Sequence, residues 1–95
     1  MKDIYVADLE KDQEFISFFM VKTIEIKVGS NKKQYLDLTC ADCTGDINGK
    51  KWDVNDEEAE NLKKIEPGNY VKIKAFVTDW NGTKQLRIIK VRKGQ

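Results

Sequence analysis

Strand-like periodicity dominates this chain. Residues 14–28 are rich in β-branched and aromatic side chains and end in strict alternation, with Ile24, Ile26 and Val28 set against Glu25 and Lys27. That is the pattern of a half-buried strand. The segment is far longer than the usual strand of about 5–6 residues, so it is expected to curl around a barrel and join two regions of sheet. Gly29-Ser30-Asn31-Lys32-Lys33 is a polar turn. Residues 34–41 then place Leu36, Leu38 and Cys40 on one face and Tyr35, Asp37 and Thr39 on the other. Asp42-Cys43-Thr44-Gly45 reads as a tight turn, and 46–53 as a third strand that includes Trp52.

The pattern changes at residue 56. Ala59, Leu62 and Ile65 recur every third position, predicting one helix over 56–65. Asn55 stands at the N-cap with Glu58 three residues on, and Val54 and Ala59 occupy the positions of a hydrophobic staple. Asp56, Glu57 and Glu58 in the first turn and Lys63 and Lys64 in the last suit the helix dipole. Pro67-Gly68 stops the helix.

Alternation resumes over 69–79, where Val71, Ile73, Ala75 and Val77 oppose Tyr70, Lys72, Lys74 and Phe76. Asn81-Gly82 is a strong two-residue hairpin signal, because both types tolerate positive φ. The return strand, 83–92, carries Leu86 and Ile88 and then Ile89 and Val91. This change of phase predicts a bulge. Three strands, a helix and two strands give an all-β chain with the element order of the five-stranded OB barrel, the expected fold for 1–95 as a single domain. An SH3-like barrel is the nearest alternative, but it would not place a capped helix between the third and fourth strands.

Composition narrows the function. The chain has 40% hydrophobic and 35% charged residues, enough for one modest core under a well-solvated surface. The net charge of +1 is uninformative as a total. Its distribution is not: residues 53–66 are strongly acidic, whereas 69–95 carry seven Lys and Arg against Asp79 alone. Such blocks can give a near-neutral protein a basic face. No apolar run is long enough to span a membrane, and Met1-Lys2-Asp3 leads into an acidic stretch rather than a signal-peptide core. A cytoplasmic location is expected, without membrane association.

The chemistry on offer is sparse. With no histidine, His-dependent triads and zinc-hydrolase sites are excluded within this chain. Cys40 and Cys43 have C-x-x-C spacing but no second ligand pair, so they read as a core residue and a turn residue. Asp37, Asp42, Asp46 and Asp53 fall at turns and on a strand face, where carboxylates are ordinary. Neither a cofactor nor a metal site is expected.

Aromatic and basic residues converge more usefully. Single-strand binders combine cations that track phosphates with aromatic faces on which bases stack. With Leu36, Leu38 and Ile47 inward, Tyr35, Asp37, Thr39, Asn48, Lys50 and Trp52 share the outer face of the second and third strands. In an OB barrel that face is the ligand groove, flanked by the first and last hairpin loops. Those loops hold Lys32 and Lys33 on one side and Trp80, Asn81 and Lys84 on the other, with Lys22 and Arg87 at the groove edge. The expected function is binding of single-stranded RNA or DNA. The alternative is a protein-interaction or oligomerisation module, which the acidic helix face (Asp56, Glu57, Glu58, Glu60) would serve.

Phe18-Phe-Met-Val-Lys-Thr23, Tyr35-Leu-Asp-Leu-Thr39, Asp42-x-Thr-Gly45 with Ile47, Lys51-Trp-Asp53, Pro67-Gly68 and Trp80-Asn-Gly-Thr-Lys-Gln-Leu86 together resemble the N-terminal OB-fold domain of YhaM-type 3′–5′ exoribonucleases. The resemblance covers nearly the whole chain. It implies a module that feeds RNA or single-stranded DNA to a separate HD-type phosphohydrolase domain. The divalent metal would belong to that domain, whose His-Asp motif this histidine-free sequence does not contain. It also implies that Tyr35, Asp37 and Thr39, with Asn48, Lys50 and Trp52, line the groove. Two positions depart from the pattern: Cys43 replaces a basic residue, and Gly49 stands where an inward small apolar side chain is expected.

Overall fold

The computed structural model describes residues 4–94. Five strands, β1 (Glu14–Val28), β2 (Gln34–Asp42), β3 (Gly45–Lys51), β4 (Tyr70–Trp80) and β5 (Thr83–Lys93), close into a barrel in the order β1-β2-β3-β5-β4. One helix, α1 (Asp56–Leu62), lies between β3 and β4, and a short 3-10 helix, Val6–Asp8, precedes β1. This is the five-stranded OB barrel.

The length of β1 has the expected consequence. Its first half, from Glu14 to Met20, pairs with β4, and its second half, from Met20 to Val28, pairs with β2. A register shift between Val21 and Thr23 marks the bend. An extra residue raises local twist and lets one strand serve two parts of a closed sheet.

Alternation decides what lies inside. Phe15, Phe19 and Val21 from β1, Leu36, Leu38 and Cys40 from β2, and Val71, Ile73, Ala75 and Val77 from β4 are all buried. Leu86 and Ile88 from β5 join them, and Val54, Ala59, Leu62 and Ile65 bring the helical segment into the same core. Burying a side chain of this size contributes about 1.5–3 kcal/mol relative to leaving it in water.

Closure happens where β3 meets β5, the one parallel pairing among the described residues. There Gly49 sits opposite Leu86, and a Cβ on Gly49 would lie 2.9 Å from Leu86 Cβ and 3.0 Å from Ile88 Cδ1. The space where an inward side chain is expected is the space into which β5 packs.

The helix begins as predicted: the Glu58 backbone N–H donates to Asn55 Oδ1 at 2.8 Å. It is shorter than 56–65, ending at Leu62, with Lys63 capping on the Ala59 carbonyl and Ile65 still buried beyond the end. β3 stops at Lys51 rather than 53, because Asp53 takes a positive φ of 60° and turns the chain toward the helix. At the last hairpin both Asn81 and Gly82 have positive φ, 53° and 81°, as a two-residue primed turn requires.

Candidate nucleic-acid interface

The outer face of β2 and β3 is built by register. Asp37 pairs with Lys50, and Thr39 with Asn48. Leu36, Leu38, Ile47 and Gly49 are buried beneath, so alternation turns Tyr35, Asp37, Thr39, Asn48, Lys50 and Trp52 to the same side. All six residues expected on this face are there. The Tyr35 and Trp52 rings lie together, centroids 4.6 Å apart and tilted by 34°. Trp52 remains 52% exposed, so it neither closes the barrel nor belongs to the core.

The polar floor beside the rings is a connected network. Asn48 Nδ2 donates to Asp37 Oδ1 at 2.8 Å and lies 3.0 Å from Thr39 Oγ1. Lys50 Nζ donates to Asn48 Oδ1 at 3.0 Å, and Lys27 Nζ to Asp37 Oδ2 at 2.9 Å. Partial burial pushes the Asp37 carboxyl up. The hydrogen bonds from Asn48 and Lys27, with the charges of Lys50 and Lys27, outweigh it and hold the pKa below the usual value. The same bond and charge raise the pKa of Lys27. Both Asp37 oxygens are therefore committed to protein donors, and two ammonium groups stand against one carboxylate. Among the described residues no group of three Cys, Asp or Glu could hold a metal ion.

The remaining expected residues distribute around this face. Arg87 lies beside Lys50 in the parallel pairing and is exposed. Lys22, at the β1 bulge, pairs with Asp46 at 2.8 Å. Lys32 and Lys33 occupy the exposed β1–β2 turn, with Lys33 Nζ 3.7 Å from Asp53. Because β3 and β5 run in the same direction, the β4–β5 turn lies toward the Gly45 end of the face, and Lys32 and Lys33 lie toward the Lys51 end. Trp80 is 69% exposed at that turn, next to Asn81. Lys84, expected beside the groove, donates from Nζ to the Leu9 carbonyl at 2.6 Å.

Lys27 was not singled out in the sequence, although its pairing partner Tyr35 was. Its place outside the barrel follows from alternation once Ile24 and Ile26 face inward. The Asp42-x-Thr-Gly turn also does more than turn. Asp42 Oδ2 accepts from the Val6 N–H at 2.9 Å, and Thr44 Oγ1 from the Ala7 N–H at 3.0 Å. These bonds anchor the 3-10 helix and seat the buried Leu9.

No family model matches this chain. It is 29% identical over 83 residues to the 3′–5′ exoribonuclease YhaM of Oceanobacillus iheyensis, spanning 87% of this chain and only a quarter, 25%, of that protein's length. Among solved structures, asparaginyl-tRNA synthetase of Pyrococcus horikoshii bound to asparaginyl-adenylate superposes with a TM-score of 0.78 at 18% identity, covering 100% of this chain and 23% of that one. The second OB-fold domain of replication protein A from Methanococcus maripaludis gives 0.69 at 13% identity, covering 95% and 92%. A replication protein A heterotrimer bound to single-stranded DNA gives 0.68 at 13%, covering 95% and 63%. No helix among the described residues is long and apolar enough to cross a membrane. The chain is an OB-fold domain, similar over most of its length to part of a YhaM-type exoribonuclease.

Proposed function

We propose that this chain binds single-stranded RNA or DNA on the outer face of β2 and β3, as the substrate-holding part of a 3′–5′ exoribonuclease. The observation that carries the proposal is the half-exposed Tyr35–Trp52 ring pair set beside the Lys27–Asp37–Asn48–Lys50 network on one curved sheet. A base stacks on the exposed area of Trp52, and Tyr35 behind it fixes the indole so that little side-chain freedom is lost on binding. Lys27, Lys50 and Arg87 attract the phosphates, while Asp37 and Asn48 hold the two lysines in place. Lys32 and Lys33 guard one end, and Trp80 and Asn81 the other. The exoribonuclease relative and the DNA-bound replication protein A support a nucleic-acid ligand. Hydrolysis, with the metal it needs, belongs to the remainder of such an enzyme.

The test is Trp52→Ala combined with Lys50→Ala, read by fluorescence anisotropy of a labelled single-stranded oligonucleotide. Base stacking is worth about 1–3 kcal/mol, so affinity falls about 5- to 150-fold. The melting temperature stays close to the parent's, because neither side chain is buried. Unchanged affinity in the folded variant refutes the proposal. Incubated with Mg2+ or Mn2+, the chain alone leaves the oligonucleotide intact. Turnover abolished by Asp37→Asn would instead place the chemistry here.

A further inference from the structure

The outer face of β4 and β5 gathers its cations differently from the groove. On and around the groove Lys22, Lys27 and Lys33 are each paired with a carboxylate, Asp46, Asp37 and Asp53. On β4 and β5, Lys72 stands directly opposite Arg92, and Lys74 directly opposite Lys90. None of these four is in an ion pair among the described residues. Like charges directly opposite across two strands are destabilising. Here two such pairs lie side by side, about 7 Å apart along the strands.

The β5 bulge makes this arrangement. Ala75 pairs with Ile88 but Lys74 with Lys90, so Ile89 is the extra residue. Had the alternation that buries Leu86 and Ile88 continued, Lys90 and Arg92 would point into the barrel. The extra residue reverses the phase and turns both cations outward, opposite Lys74 and Lys72. β1 supplies an apolar border, with Ile16 opposite Lys74 and Phe18 opposite Lys72. Lys72 Nζ lies 5.8 Å from the Phe18 ring centre. Ile16, Lys72, Lys74, Ile89, Lys90 and Arg92 line an open depression of about 680 Å³, which Val91 and the ion-paired Lys51 and Glu58 also border.

We propose that this cationic square is a second contact surface for nucleic acid, taking the phosphates of a strand that extends beyond the groove. The inference rests on the single-strand reading of the β2–β3 face. Continuity favours a nucleic acid over another polyanion: Lys50 neighbours Arg87, and the outer face of β5 runs from Arg87 to Lys90 and Arg92. The surface contributes charge attraction.

The experiment compares the parent chain with a Lys74→Gln/Lys90→Gln/Arg92→Gln variant, using labelled oligonucleotides of about six and about twenty nucleotides. The short oligonucleotide binds both proteins alike. The long one binds the variant at least tenfold more weakly at low salt. Its salt slope also falls, by about 0.7 for each phosphate that the variant leaves unneutralised. The variant melts no lower than the parent, since the substitutions remove repulsion. Equal affinity and equal slope for the long oligonucleotide overturn the inference while leaving the groove reading intact, provided Trp52→Ala still weakens the short one. If the parent binds neither oligonucleotide, both readings fall. If the parent binds anionic phospholipid vesicles, the variant does not, and neither distinguishes the oligonucleotides, the surface faces lipid and the inference is wrong.

Discussion

Asp37 sits among the groove cations with each oxygen taken by a protein donor. Its pKa lies below the ordinary 3.8 and that of Lys27 above the ordinary 10.5. The stabilisation from Asp37 is therefore present above the unfolded value and is lost as pH falls through the lowered folded one. That from Lys27 is present below its unfolded value and is lost as pH rises through the raised one. Asp37→Asn should lower the melting temperature by a constant amount across neutral pH. The difference from the parent should close in acid below about pH 3.8. Paired thermal melts from pH 3 to 8 check this, and a gap that persists undiminished in acid would show that the carboxylate charge is not the cause. At this scale the sequence was informative wherever alternation alone sets direction, as for Tyr35, Asp37, Thr39, Asn48, Lys50 and Trp52. It was silent where a long side chain chooses among distant partners. Lys84 reaches the Leu9 carbonyl, a bond between residues far apart in the chain that no local pattern encodes.

Among the elements, the β3–β5 junction is the most constrained. Gly49→Ala forces a methyl to within 2.9 Å of Leu86 Cβ and about as close to Ile88, and neither neighbour can retreat without disturbing the closure. Overpacking of this kind costs about 1–3 kcal/mol, which lowers the melting temperature by about 4–8 °C per kcal/mol in a chain of this size. A thermal melt within a degree of the parent's would contradict the assignment of Gly49 to barrel closure. The sequence of elements along the chain, the double role of β1, the helix N-cap and the primed Asn81-Gly82 turn were all legible, because each is written in periodicity or in turn chemistry. The bulge in β5 was legible as a change of phase, but its consequence was not, since the residues opposite Lys90 and Arg92 are known only once the register is. The 3-10 helix at Val6–Asp8 left no pattern of its own. It is held from outside, by Asp42 and Thr44.

For the molecule as a whole, the barrel presents two outer surfaces of different character. One combines an exposed ring pair with two lysines gathered around a single carboxylate. The other concentrates cations that are in no ion pair among the described residues, beside Ile16 and Phe18. A net charge of only +1 conceals both, which is why total composition could not identify a ligand while the positions of individual charges could. Salt should weaken the binding of long strands more steeply than that of short ones, whereas the stacking contribution persists. The seat of the ligand is read out by titrating the isotopically labelled chain with an unlabelled oligonucleotide of about six nucleotides, followed residue by residue by NMR. Backbone shifts should concentrate on β2 and β3, from Tyr35 to Thr39 and from Asn48 to Trp52, with the Trp52 indole N–H among the largest. Shifts confined to α1 and its acidic face, or an unmoved Trp52 at saturating oligonucleotide, would contradict it.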